Sequence, residues 1–387
     1  MDHAATSWPK PPQVIASIQN AIANAGGNPG RGSHRLAIAA GETLYETRDV
    51  VTSFFNCPDP FRVAFSKNIT EAINLIMRGF LRPGDHVLVS PMEHNAVMRP
   101  LIFLEKQGIS HTVLPAGSDG KILTESIPAL IRPATRLMII CHESNVNGII
   151  QPVREAGRIA EEHGIFMLVD AAQSSGSLAI NMQQDAIDFL AFTGHKGLYG
   201  PTGTGGVIFG DRVNSHEIEP LILGGTGSLS ESFEQPECMP DQLESGTQNV
   251  AGLAGLTAGI RWVSEQLERN PRELDQKISK LINGLRQIPG VTCYTALKPE
   301  DQGSVVSVTI ADVDNGLAGE WLDNQRNILT RVGLHCAPAA HKQLGTFPNG
   351  MIRFSVSWMT TDKEIEMVIQ AVRELAENPA IVIEEAL

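Results

Sequence analysis

The chain has 387 residues, 42% of them hydrophobic and 19% charged, enough to bury a sizeable core arranged as two subdomains. Its formal net charge of −13 repels nucleic-acid backbones and anionic membranes, so neither is expected as a partner. The five cysteines (Cys57, Cys141, Cys238, Cys293 and Cys336) are odd in number and contain no Cys-x-x-Cys pair, which argues against a disulfide framework or a zinc site; no metal is expected.

No basic and apolar leader and no apolar run of about 18 residues is visible, which makes the cytoplasm the expected location. A turn-rich lead-in at residues 2–12 is followed by an amphipathic helix at 14–25, ended by Gly26 and Gly27. Residues 28–35, rich in glycine and polar groups, read as a loop of the kind that carries function. From residue 62 the pattern becomes a strand at 63–65, a turn at 66–68 and a helix beginning near Thr70. The free N–H groups of that helix start and the Thr70 hydroxyl beside them would seat a phosphate.

Apolar runs at 87–89, 112–114, 137–140 and 166–169 alternate with helical segments, the pattern of an α/β fold with a largely parallel, doubly covered sheet. Such sheets bind ligands at the carboxyl ends of their strands, and polar residues collect there: Glu93 and His94, then His142, Glu143, Ser144 and Asn145, then Asp170 and Gln173. Asp170 ends a wholly apolar run, so its carboxylate is expected to be partly buried and to need a cationic or N–H partner. A protonated pyridine nitrogen would be one. His94 could stack on a cofactor ring or move protons.

The strand at 188–192 is followed by TGHKGLYGPTGTGG, which places Lys196 just past a strand end among glycines. An amine held in such a cleft is a nucleophile that forms Schiff bases, most often with pyridoxal phosphate. A solvated lysine in a glycine-rich turn is the commoner arrangement, but four strand ends carrying polar groups weigh against it. A helix at 153–163 closes on Gly164. Residues 223–228 and 243–249 flank a polar stretch containing Cys238, expected to be a mobile or intersubunit loop. A long helix at 253–267 leads out of the first lobe, and strands at 304–310 and 351–356 belong to an α+β remainder. The expected division is 13–253 for a large domain and 1–12 plus 254–387 for a small one.

Taken together, DHAATS, NPGRGSHR, TEAINL, EHNA, HESNVNG, VDAAQS, TGHKGLYGPTGTGG, LESGTQN and RVGLHCAP resemble the class V aminotransferase group of fold-type I pyridoxal-phosphate enzymes. More narrowly they resemble the cysteine desulfurase and selenocysteine lyase family. The resemblance implies a large, mainly parallel-sheet cofactor domain and a smaller α+β domain carrying a nucleophile loop. It implies that Lys196 holds pyridoxal 5'-phosphate as a Schiff base, that Asp170 pairs with the pyridine nitrogen, and that Gln173 and Asn145 bond the phenolic oxygen side. His94 would stack on the ring. Thr70, Thr193 and His195 would hold the phosphate together with Thr247 of the partner subunit, hence a homodimer. Arg353 would take the substrate carboxylate in its bidentate fork.

Cys336 stands where this family places the thiolate that attacks the substrate sulfur, and His335 and Arg331 are flanks that would favour the thiolate. The other fate of a free cysteine is to be a small buried packing residue. The implied reaction converts L-cysteine to L-alanine, leaves a persulfide on Cys336 and passes the sulfur to an acceptor protein, as in iron–sulfur cluster assembly. L-selenocysteine is the related substrate. The rivals are a cystine or cysteine C–S lyase, a selenocysteine lyase, an epimerase or a class V aminotransferase on the same scaffold, and a non-catalytic protein that binds a sulfur carrier. His3, Gly30, Leu334 and Thr360 depart from the usual family pattern; these departures bear on the substrate and leave the cofactor chemistry untouched.

Overall fold

In the computed structural model, which describes residues 1–384 apart from Arg31 and Pro58, the short apolar runs become one seven-stranded sheet. Its strands are β1 (Val63–Ser66), β2 (His86–Val89), β3 (Ser110–Val113), β4 (Thr135–Cys141), β5 (Phe166–Asp170), β6 (Phe189–Thr193) and β7 (Gly205–Phe209). They lie in the order β1-β7-β6-β5-β4-β2-β3. The five strands from β6 to β3 run parallel, whereas β7 is antiparallel to both of its neighbours. The lysine loop therefore turns the chain straight back beside β6, a reversal that a two-residue side-chain period cannot announce.

Side chains alternate across the sheet. Met138, Ile140, Met167, Val169, Leu190 and Phe192 enter one apolar core; Leu137, Ile139, Leu168, Phe189 and Ala191 enter another on the opposite face. Helices close both faces: α1 (Pro12–Asn24), α2 (Arg35–Phe54), α3 (Ile69–Phe80), α4 (Asn95–Glu105), α5 (Ile127–Leu130), α6 (Val153–Glu162) and α7 (Val250–Arg269). Val51 of α2, Ala156 of α6 and Leu256 of α7 fill the first core, while Ile73 of α3 and Leu101 of α4 fill the second.

Helix α2 was not anticipated, although Ala37, Ala40, Leu44 and Val51 recur at helical spacing. Its hydroxyls are turned inward on the helix itself: Thr43, Thr47 and Thr52 each donate to the carbonyl four residues earlier, which disguises their polarity. The loop expected at 28–35 gives way to α2 at Arg35, and Arg31 in it lies outside the described residues. The irregular stretch before α7 exposes Leu223, Leu229 and Phe233. It is tethered at Glu244, which accepts from the Phe65 N–H and pairs with Arg48 inside the protein.

The remainder is α8 (Glu273–Arg286), β8 (Val291–Tyr294), β9 (Val305–Ile310), α9 (Asn315–Arg326), β10 (Arg331–Gly333), α10 (Pro338–Gln343), β11 (Met351–Ser355), α11 (Asp362–Glu377) and α12 (Ile381–Glu384). Its antiparallel sheet, ordered β10-β11-β9-β8, shares one core with Leu281, Trp321 and Val368 of the helices. The first residues of the chain return to this sheet, where Asp2 bridges to Ser355 and the Met1 carbonyl accepts from the Ser355 N–H at 2.9 Å. Among the described residues, no helix is long and apolar enough to cross a membrane.

Candidate active site

The parallel order sets the ends of β2, β4, β5 and β6 side by side, the place where open α/β sheets build sites. Asp170, the last residue of β5, is 3% exposed, and its Oδ1 accepts from the Ala172 N–H at 2.9 Å. Burial pushes its carboxyl above the usual range, opposed by that N–H and by the positive charge of Lys196. Lys196 follows β6 by three residues, and burial brings its amine down to about 8. Asp170 resists that shift, and the charges of Arg353 and Arg331 add to it. The turn carrying Lys196 touches a second turn so closely that a Cβ on Gly176 or on Gly197 would lie 2.2 Å from the other turn's backbone. Only glycine fits there. The lead-in straps this loop from outside, with the Ser7 N–H and the side chains of Thr6 and Lys10 all donating to the His195 carbonyl.

The residues nominated for a phosphate divide. Gly205, paired with Thr193 across β6 and β7, would place a Cβ 3.0 Å from the Asn68 backbone, so the end of β6 lies against the start of α3. There the Thr193 hydroxyl is buried without a hydrogen-bond partner, and His195 Nδ1, two residues further along the chain, is also buried without one. An orphaned hydroxyl beside a helix amino terminus is what a bound phosphate would satisfy, so the residues present fit pyridoxal phosphate. Thr70 is exposed in the first turn of α3, and Thr247 is exposed on the loop before α7.

His94 caps α4, its Nδ1 accepting from the Ala96 N–H at 3.0 Å. Burial, then the charge of Lys196, brings its imidazole down to about 4, so it sits beside the site as a neutral ring. Gln173 donates to the Ala4 carbonyl at 3.0 Å. Asn145 donates through Nδ2 to the His335 carbonyl at 2.8 Å, and its Oδ1 is buried without a partner. This places Asn145 between Arg353, which donates to its carbonyl at 3.0 Å, and the loop of Cys336. Arg353 is 2% exposed and also donates to the Asp2 carboxylate at 2.7 Å. Asp2 was not anticipated; the acid that opens DHAATS was the available signal.

Cys336 is exposed, not the buried packing residue. It lies on a loop where His335 (φ 49°) and Cys336 itself (φ 57°) are both left-handed, a costly backbone for non-glycine residues that surrounding contacts must hold. The Asn95 N–H donates to the Cys336 carbonyl at 2.8 Å, and Arg331 Nη2 stands 3.6 Å from Sγ. The two expected flanks behave differently. His335 turns inward, with Nε2 at 3.2 Å from the Arg331 carbonyl, and burial followed by the Arg353 charge lowers it to about 3. It is neutral and supplies no positive charge; Arg331 alone does.

Two buried acids complete the surroundings. Glu93, fully buried, accepts at Oε1 from Ser90 Oγ and the Cys141 N–H, both at 2.6 Å, and burial raises it from 4.5 to about 8. Unfolding restores the ordinary value, so the stability Glu93 contributes is complete below about pH 4.5 and lost as pH rises to about 8. Glu93→Gln is expected to flatten that fall, whose slope is at most about 1.4 kcal/mol per pH unit; urea midpoints at the two ends of that window check it. Glu143, also fully buried, is bonded to Ser304 and Ser177. His142, by contrast, points away and lines a groove of about 750 Å³ with Arg154 and Arg158.

The strand order, the lone antiparallel return after β6 and the lysine between them define a fold-type I α/β enzyme architecture. The chain belongs to the class V aminotransferase family, whose sequence profile it matches over residues 1–368. A probable cysteine desulfurase of Methanothermobacter thermautotrophicus is 34% identical over 96% of this chain and 94% of its own. A cysteine desulfurase of Escherichia coli O157:H7 is 31% identical over 96% and 92%. Among solved structures, the apo cysteine desulfurase of Thermococcus onnurineus superposes with a TM-score of 0.91 at 29% identity, covering 97% of this chain and 94% of that one.

Proposed function

We propose that this chain is a pyridoxal-phosphate-dependent cysteine desulfurase, converting L-cysteine to L-alanine and carrying the sulfur on Cys336. The observation that carries this reading is the exposed Cys336 on its left-handed loop, with Arg331 beside the sulfur and its backbone tied to Asn95. The relatives named cysteine desulfurase support it over nearly the full chain. When bound, pyridoxal phosphate supplies an electron sink for the substrate's α-carbon. Lys196 would hold it covalently and Asp170 would face its pyridine nitrogen. Thr193, His195, Thr70 and the start of α3 would take its phosphate, with Thr247 of the partner subunit. His94 would stack on the ring, and Gln173 and Asn145 would lie on the phenolic side.

Arg353 would receive the substrate carboxylate in place of Asp2, to whose carboxylate its Nη2 donates at 2.7 Å. The Lys196 amine takes the α-proton and later returns one. The Cys336 thiolate then attacks the substrate sulfur: the S–S bond forms as the C–S bond breaks, and the β-carbon, which keeps that bond's electron pair, takes up the proton the Cys336 thiol gave up and becomes the methyl group. A persulfide stays on Cys336 and alanine leaves. The persulfide would pass to an acceptor protein, with iron–sulfur cluster assembly as one use and the cytoplasm as the setting. L-Selenocysteine is a second substrate. Residues 13–253 would form the cofactor domain, and 1–12 plus 254–387 the domain carrying the nucleophile. Product analysis with L-cysteine tests the reading: alanine with a trapped persulfide is expected, and pyruvate instead would assign a C–S lyase.

A further inference from the structure

Resting on the reading of Lys196 as the group that moves the substrate α-proton, we propose that Glu143 exchanges that proton with Lys196 through Ser304 and one water held beside it. Glu143 is fully buried on the segment after β4 that is stitched to the start of β9. The Gly303 N–H donates to the Gly148 carbonyl at 2.7 Å, the Ile150 N–H to the Asp301 carbonyl at 2.8 Å, and Gln302 Nε2 to the Asn147 carbonyl at 3.1 Å. The carboxylate sits in the seam so formed. Its Oε1 accepts from the Ser304 N–H at 2.7 Å and from Ser304 Oγ at 2.8 Å, and its Oε2 from Ser177 Oγ at 3.1 Å.

Ser177 and Ser304 also border a small cavity of about 30 Å³, and Lys196, Gln173, His3 and Ser357 border it from the other sides. That volume admits a water, and the lining offers the polar partners a water needs. The other titratable groups around the cavity and around Glu143 do not compete for the proton. Burial holds the His3 imidazole down to about 4, and the neighbouring terminal amine adds to this. Burial holds Tyr199 up to about 12 and raises the Cys141 thiol well above its ordinary value. Asp170 faces Lys196 from β5 but is assigned to the cofactor nitrogen.

Burial raises Glu143 to about 7, against the hydrogen bonds from Ser304 and Ser177 and the charge of Lys196. Its proton affinity is therefore close to that of Lys196 at about 8, as efficient proton exchange near neutral pH requires. In the transfer one Lys196 N–H bond breaks as the water accepts. The water passes a proton to Ser304 Oγ, whose own proton moves to Glu143 Oε1. The net change is one proton from ammonium to carboxylate, and the reverse sequence returns it. No opening of the site to bulk solvent is required.

The test compares the cofactor-loaded protein with Glu143→Gln and Ser304→Ala in the exchange of the α-hydrogen of L-alanine for solvent deuterium, a reaction that does not involve Cys336. Glu143→Gln is expected to slow exchange about 10²-fold at neutral pH, the lower range of general acid–base effects, and to remove an inflection near pH 7. Ser304→Ala is expected to slow it about tenfold. In the cofactor-free protein, a carboxylic C=O infrared band should bleach with a midpoint near pH 7 and be missing from Glu143→Gln. An unchanged pH profile with exchange within about twofold of wild type, or absence of the band, overturns the relay and leaves Glu143 as a tie between the lobes. Should Glu143→Gln fail to fold, Ser304→Ala decides by the same profile. If wild type exchanges alanine but makes none from L-cysteine, the desulfurase reading falls and the relay stands.

Discussion

Cys336→Ala is expected to lower alanine formation from L-cysteine by at least about 10³-fold, since removing a nucleophile costs more than removing a group that supports it. The residue is exposed and its carbonyl, not its sulfur, makes the Asn95 contact, so the substitution deletes the proposed nucleophile without unpacking the loop. Cofactor absorbance and thermal stability should therefore match wild type. Mass spectrometry of the protein after reaction with L-cysteine should show added sulfur in wild type alone. L-Selenocysteine gives a contrasting outcome: its selenol is ionised at neutral pH, so release of selenium is expected to survive in Cys336→Ala. Full desulfurase activity in the variant would remove Cys336 from the reaction.

Lys196→Ala is expected to reduce turnover by at least about 10⁴-fold, because on the proposed reading one side chain both holds the cofactor and acts as base. Its visible Schiff-base band should disappear from protein purified with the cofactor, an outcome independent of the reaction catalysed. In the wild-type protein stripped of cofactor, Lys196 must attack as the free amine. Burial has brought that amine to about 8, so capture of added pyridoxal phosphate should quicken with rising pH and level off above about 8. The sign follows from the ammonium form, which predominates below that value and cannot attack. Stopped-flow absorbance across the range reads it directly.

Legibility followed distance along the chain. Asp170, Lys196 and the start of α3 could be placed because each is fixed by a short apolar run ending in a turn, and the alternation of such runs dictates a parallel sheet. His335 shows where adjacency misleads. It neighbours Cys336 in sequence, yet two consecutive left-handed residues send one side chain into the protein and leave the other at the surface. Helix α2 was legible in the spacing of Ala37, Ala40, Leu44 and Val51, and the structure adds that its threonines bond to their own backbone and that α7 packs on it.

The sequence by itself determined the α/β class, the polar residues at the strand ends and the lysine just past β6, since these rest on interactions within a few residues, whereas Cys336 was marked by resemblance alone. Only the tertiary structure decided that Asp2 holds Arg353 across a separation of 351 residues. The same holds for Ser304, which closes on Glu143 from 161 residues away. The first contact folds the lead-in back onto the small sheet, and the second joins the segment after β4 to the start of β9. No local propensity encodes either meeting: each is set by how distant segments pack, and only then do the buried charges find partners that satisfy them.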